Sequence, residues 1–201
     1  MGAVNTALVV LLVIVAVVAV YLIMTYNNLV TVKNNVARAW ANIDVLLKQR
    51  HDEIPKLVEI CKQYKQFEQE TLVRVTEARS RVAAAREARN IDALGPAEVA
   101  LRAGVARVFA LAEAYPDLKA NQSFMQLQSR ITGLENAIAD RREFYNDSVN
   151  VNNIRIEQFP DSIIAGAFGF NEARMLHFEE QEIADVDMKS LFGSNAKGKA
   201  A

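Results

Sequence analysis

Cysteine and histidine are almost missing from this chain: its 201 residues hold one cysteine and two histidines. A lone cysteine excludes an intrachain disulfide. A metal centre needing three or four ligands has few thiol or imidazole donors to draw on. Proline and glycine are scarce too, at four and eight residues. Alternating β-branched runs joined by Asn-Gly or Asp-Gly turns do not occur, which argues against a hairpin-based β fold. Neither sign of charge is in excess, with 23 Lys plus Arg against 24 Asp plus Glu, so no net field draws the chain toward nucleic acid. The Gly-x-Ser-x-Gly, Walker A and Gly-x-Gly-x-x-Gly patterns are missing. No lysine or arginine precedes Lys33, a poor fit to the basic start of a cleaved secretory signal.

What is present first is grease. Residues 7–24, ALVVLLVIVAVVAVYLIM, carry no charged, amide or hydroxyl side chain except the phenol of Tyr21. As a helix the run is about 27 Å long, close to the hydrocarbon thickness of a bilayer. Soluble core helices rarely stay apolar on every face for this long. The expected layout is a short segment 1–6 and a transmembrane helix 7–25, followed by a polar-surfaced domain beside the membrane. The run is too long for a signal core, and Met24, Thr25 and Tyr26 make a poor cleavage site. No cysteine follows it to carry a lipoprotein anchor. Met1 to Thr6 matches a myristoylation pattern, a short match read as accidental beside an existing anchor. Lys33 and Arg38 follow the span closely and nothing basic precedes it. This favours a cytoplasmic bundle and leaves the periplasmic side open.

The domain reads as helical throughout. Val36, Trp40, Ile43 and Leu47 form one apolar stripe on a helix continuing from the membrane. Pro55 predicts a break and restart. The restart carries Ile54, Leu57, Ile60, Cys61, Tyr64, Phe67, Leu72 and Val75, then fades into an alanine-rich stretch ending at Ala88. Residues 90–95 predict a break, with Pro96 in the first turn of a third helix over 97–114. Tyr115-Pro116-Asp117 ends it. Phe124, Leu127, Ile131, Leu134, Ile138 and Tyr145 keep coiled-coil-like spacing, continued imperfectly by Val149 and Ile156. Asn121 is the expected N-cap and Phe159-Pro160 the terminator. The fold class is all-α: an N-terminal transmembrane helix, then a long antiparallel, four-helix-type bundle over 26–160. Trp40 and Leu134 are expected in its core.

After Pro160 the pattern changes. Ile163, Ile164, Phe168 and Phe170 are interleaved with Ala165, Gly166, Ala167 and Gly169, a strip too short to span a bilayer. One reading is a loop folded over an end of the bundle. The other is an exposed contact patch for another subunit or the membrane. Residues 161–188 are expected as this apolar, glycine-rich loop plus an acidic segment (Glu179, Glu180, Glu182, Asp185, Asp187) packed on or near the bundle. A disordered tail is expected over 189–201.

Few groups can carry chemistry. His51, Asp52 and Glu53 are adjacent, and neighbouring helix residues point about 100° apart, so they cannot converge on a metal. A helix-end motif is the plainer reading, with Asp52 capping the restart. His177 and Glu180 make one facing pair, too few for a site. A di-iron bundle needs paired Glu-x-x-His motifs, but Lys48 and Arg174 stand where the glutamates would be. Cys61 lies on an apolar stripe and reads as core. Gly166 to Gly169 lacks the basic residue or helix start of a phosphate cradle. No catalytic, cofactor or metal residue is nominated. Asn146, Asn150, Asn152 and Asn153 crowd one helix end and leave two readings open. They form either a polar layer bonding neighbouring helices or loop backbone, with Arg141 or Arg142 as partners, or a recognition surface for a protein or a copy of itself. Ile163, Ile164, Phe168, Phe170, Asn146, Asn150 and Asn152 make up the candidate interaction patch.

The chain also resembles a known family. The segments YNNLV (26–30), AWANIDVLLK (39–48), RHDEIPKLV (50–58), AYPDLKAN (114–121), FYNDSV (144–149), QFP (158–160) and IAGAFGF (164–170) closely resemble the LemA family of bacterial membrane-anchored proteins. The resemblance implies a single N-terminal span, a long antiparallel bundle and a bacterial inner-membrane location. It implies no settled activity. The expectation is a non-enzymatic, membrane-anchored scaffold or interaction protein that self-associates at the bilayer, with a further membrane protein as a conceivable partner. The competing reading is a membrane-bound sensor or regulatory subunit that binds a small ligand or a partner protein.

Overall fold

The computed structural model describes residues 2–64 and 67–177. The expected disordered tail over 189–201 and the acidic residues from Glu179 onward lie outside the described residues. Helix α1 runs Gly2–Lys62, α2 Gln69–Glu87, α3 Ile91–Ala112, α4 Pro116–Lys119, α5 Gln122–Glu157 and α6 Asp161–Phe168. The described residues contain no strand. The first part of α1 is long and apolar enough to cross a membrane, and no side chain from Asn5 to Met24 is buried.

Beyond the apolar run, α1 pairs lengthwise with α5, and α2 with α3. Trp40 meets the Tyr145 ring edge-on at 5.9 Å, and Arg50 reaches Glu135, so α1 and α5 are antiparallel. The core they share is apolar and continuous, from Ala39, Ile43 and Leu47 through Ile54 and Leu57 to Leu101, Val108, Ile131 and Ile138. Asn121 caps α5 as expected, its side chain accepting from Phe124 N at 3.1 Å. Asn90 caps α3 in the same way, accepting from Ala93 N.

The structure corrects several expectations. Helix α1 continues through Pro55 instead of breaking there. Proline's missing N–H orphans the carbonyl four residues earlier, that of His51. Arg79 of α2 fills the vacancy, its Nε donating to His51 O at 2.9 Å. The expected second helix instead breaks between Lys62 and Gln69, where the sequence has neither proline nor glycine. Burial sets that turn: Phe67 is buried and packs on Tyr115 at 5.5 Å. Helix α3 begins at Ile91, not 97, because Asn90 caps it ahead of Pro96. The strip after Pro160 is helical rather than a loop. It ends at Gly169, whose φ of 69° is left-handed, the conformation glycine adopts without penalty. Trp40 and Leu134 are half-buried at the edge of the core, not within it.

Candidate functional site

Charge enters the core at one place. Arg50 is 1 % exposed on the stripe between Leu47 and Ile54. Its Nη2 contacts both carboxylate oxygens of Glu98 on α3, at 2.6 and 2.5 Å, and its Nη1 donates to Glu135 on α5 at 2.8 Å. Burial alone would weaken the guanidinium charge, but Glu98 and Glu135 outweigh it and raise the pKa of Arg50 further. Burial pushes the Glu98 carboxyl above the usual range, against the pull of Arg50. The sequence does carry a signal for this cluster: ionisable residues stand at core positions, with Glu98 between Leu94 and Leu101. Its geometry ties α1, α3 and α5 together, with Arg50 and Glu98 buried and Glu135 partly exposed.

A second polar junction surrounds Pro55. Arg79 Nη2 also contacts His51 Nε2 at 2.6 Å. Arginine can only donate, so Nε2 accepts and His51 is neutral. Burial lowers the His51 pKa; Arg79 and Arg86 lower it further, and Asp52 and Glu87 oppose them. His51 is therefore a mid-helix partner of α2, and Asp52 is an exposed helix residue rather than a cap. The folded pKa lies below the unfolded value of about 6.5, so the unfolded chain binds the proton more readily. Stability from His51 is complete above about pH 6.5 and is lost as pH falls through the folded pKa. We expect the melting temperature to drop by a few degrees at most across that window. His51→Gln, followed by circular dichroism melts, should flatten the dependence.

The asparagines seat a strap. Helices α2 and α3 stop near Asp44, where Arg86 approaches it at 3.7 Å. Below that point the segment 171–177 covers α5 instead. Asn146 Nδ2 donates to Leu176 O at 3.0 Å, and its Oδ1 accepts from Leu176 N at 2.8 Å. Asn153 repeats the pattern on Ala173, at 3.0 and 2.9 Å. Seven helical residues rise about 10.5 Å, and three extended residues span about 10 Å. A pair of asparagines two turns apart thus matches the main-chain groups of residues 173 and 176. Asn152 is buried and donates to Asn153 Oδ1 at 3.1 Å and to Asn171 O at 3.4 Å. Tyr145 hydroxyl donates to Arg174 O at 2.9 Å. Gly95 admits the strap to α3, since a Cβ there would lie 2.3 Å from His177 O. Asn150 stands apart, exposed on the outer face of α5.

Beside the strap lies α6. Ile164 and Ala165 are buried in a small cluster with Leu29 of α1, whereas Ile163 and Phe168 are 64 % and 65 % exposed. Phe168 and Phe170 meet the Tyr26 ring at 4.9 and 5.9 Å, and Lys33 Nζ sits 5.7 Å from the Phe170 ring centre. The nominated residues thus gather at the membrane-proximal end of the bundle, Asn150 on its outer face. Among the described residues no cluster of three or more His, Cys, Asp or Glu could hold a metal.

Residues 39–189 match the LemA family. Protein LemA of Metamycoplasma hominis is 27 % identical over 169 residues, covering 82 % of this chain and 74 % of that protein. Magnetosome protein MamQ 2 of Paramagnetospirillum magneticum is 22 % identical over 188 residues, covering 82 % of this chain and 68 % of the relative. Magnetosome protein MamQ of Magnetospirillum gryphiswaldense is 21 % identical with the same coverage.

Proposed function

Because this chain belongs to the LemA family, we propose that it works as a non-enzymatic scaffold. It anchors in the bacterial inner membrane and holds copies of itself, or a membrane partner, at the bilayer surface. The observation that carries the reading is the single helix Gly2–Lys62, which makes the apolar run and the first bundle helix one rod. The bundle then cannot leave the membrane and keeps a fixed distance from it. Lys33 and Arg38 support a cytoplasmic bundle.

Support for self-association comes from the outer side of α5. Phe144, Val151 and Ile154 are each about half exposed, at 53, 50 and 51 %. They recur at spacings of seven and three, as on a helix seam. Single-span copies confined to one surface gain effective concentration, so a weak seam is sufficient. The full chain should survive a carbonate wash of its vesicles, and light scattering in detergent should find an oligomer. Phe144→Lys with Val151→Lys should reduce it to monomer with the helix content unchanged. A wild-type chain that is monomeric at every concentration would end the self-association reading.

A further inference from the structure

Helix α6 is too short to cross a bilayer, yet its outer face is as greasy as the span. Ile163 and Ala167, four apart, share its outer side, Phe168 stands at its C-terminal end against Tyr26, and Phe159 precedes it in the turn; all four are exposed. Between Phe159 and Asn171 the only charge is Asp161, which is buried and paired with Arg155 at 3.2 Å. No charge competes for water on this face.

Its height decides what covers it. The apolar run is about 27 Å long as a helix, slightly short of the roughly 30 Å of hydrocarbon. The hydrocarbon edge therefore falls near Thr25 and Tyr26. The headgroup layer adds about 5 to 7 Å on each side, or the next four or five residues of α1. Those are the residues that α6 touches, through Tyr26 against Phe168 and Leu29 against Ile164. Where α6 meets the span, a cleft of about 300 Å³ opens, lined by Leu22, Ile23, Tyr26, Ile164 and Phe168. Lys33 follows just beyond that layer, within reach of lipid phosphates for a side chain that bends back toward them.

We propose that α6 is an interfacial helix whose exposed Ile163, Ala167 and Phe168, with Phe159 just before it, enter the bilayer boundary beside the span, with lipid acyl chain in the cleft. The inference rests on the anchor reading above. Apolar helix faces of this kind sink about 5 to 10 Å into the headgroup–acyl boundary. A helix lying in that plane against α1 adds a second membrane contact and restrains the rod's tilt and rotation.

The buried Cys61, its thiol pushed up to about 12 by burial, resists labelling, so single new cysteines can be introduced into the full chain. Nitroxides at Phe168→Cys, Ile163→Cys, Ile14→Cys and Val73→Cys would be read by power saturation in phosphatidylethanolamine–phosphatidylglycerol vesicles. Oxygen reports hydrocarbon and a nickel chelate reports water. At 168 and 163 oxygen should dominate, as at 14, and the ratio should reverse at 73, which is exposed on α2. Nickel dominance at 168 and 163 with oxygen dominance at 14 would overturn the interfacial helix and leave the anchor standing. Nickel dominance at 14 would remove the anchor and this inference together. Shielding from both probes at 168 and 163, relieved by dilution with excess lipid, would overturn it in favour of a second copy.

Discussion

Arg50→Ala should destabilise the bundle by about 3 to 5 kcal/mol, the usual cost of breaking a buried ion pair from one side. The loss is not that of a contact alone. Glu98 is 3 % exposed, and without Arg50 its carboxylate has no counter-charge in a region closed to water. It must then ionise at great expense or stay protonated and lose its partner. Replacing the whole cluster should behave differently. Arg50→Met with Glu98→Leu and Glu135→Leu removes the desolvation penalty with the attraction, and such exchanges are commonly neutral or stabilising by about 1 to 4 kcal/mol. Urea unfolding followed by circular dichroism in detergent separates the cases. An Arg50→Ala chain as stable as wild type would show that the cluster is solvated. The triple variant also asks what the charges are for. If it is stable but populates several species by cross-linking, the cluster's role is to fix the register of α1, α3 and α5.

Ile131→Ala should cost about 2 to 5 kcal/mol, as deletion of a fully buried branched side chain does when its surroundings cannot close the cavity. Ile131 is 0 % exposed in the core shared by α1, α3 and α5, and Ile43 is expected to behave alike. Leu134, one turn on and half-buried, should lose only about 1 to 2 kcal/mol on the same change, since part of its surface is already in water. Denaturant midpoints for the three single variants test the ranking. Equal losses would mean that the core-facing side of α5 is rotated from the one described.

That ranking differs from the one the stripe predicts, and the reason is geometric. Val36 and Trp40 keep a regular helical spacing with Ile43, but the buried side of α1 runs through Val32, Ala39 and Ile43. Trp40 is left at the seam's edge against Tyr145. Periodicity gives the helix and its approximate face; which neighbour is largest decides the final rotation. Pro55 misled for a related reason. Its local rule is correct, and Arg79, distant in sequence, supplies the missing hydrogen bond to His51. The turn after Lys62 has no local breaker, since its cause is the tertiary burial of Phe67. The asparagines were legible as polar oddities in a regular helix. That they bond backbone is one of the two readings the pattern allows; which backbone was not legible, because the strap's main chain leaves no mark in side-chain pattern. The apolar strip was legible as such, and its helical form follows from docking on Leu29.

The unbroken course of α1 has a mechanical consequence. From Met24 to Lys62 the rod extends about 57 Å beyond the span. A change of about 10° in tilt, well inside the range of membrane helices, would swing its distal tip by about 10 Å. A thicker or thinner bilayer is thus converted into lateral displacement of the far end, as by a lever arm pivoting at the lipid surface.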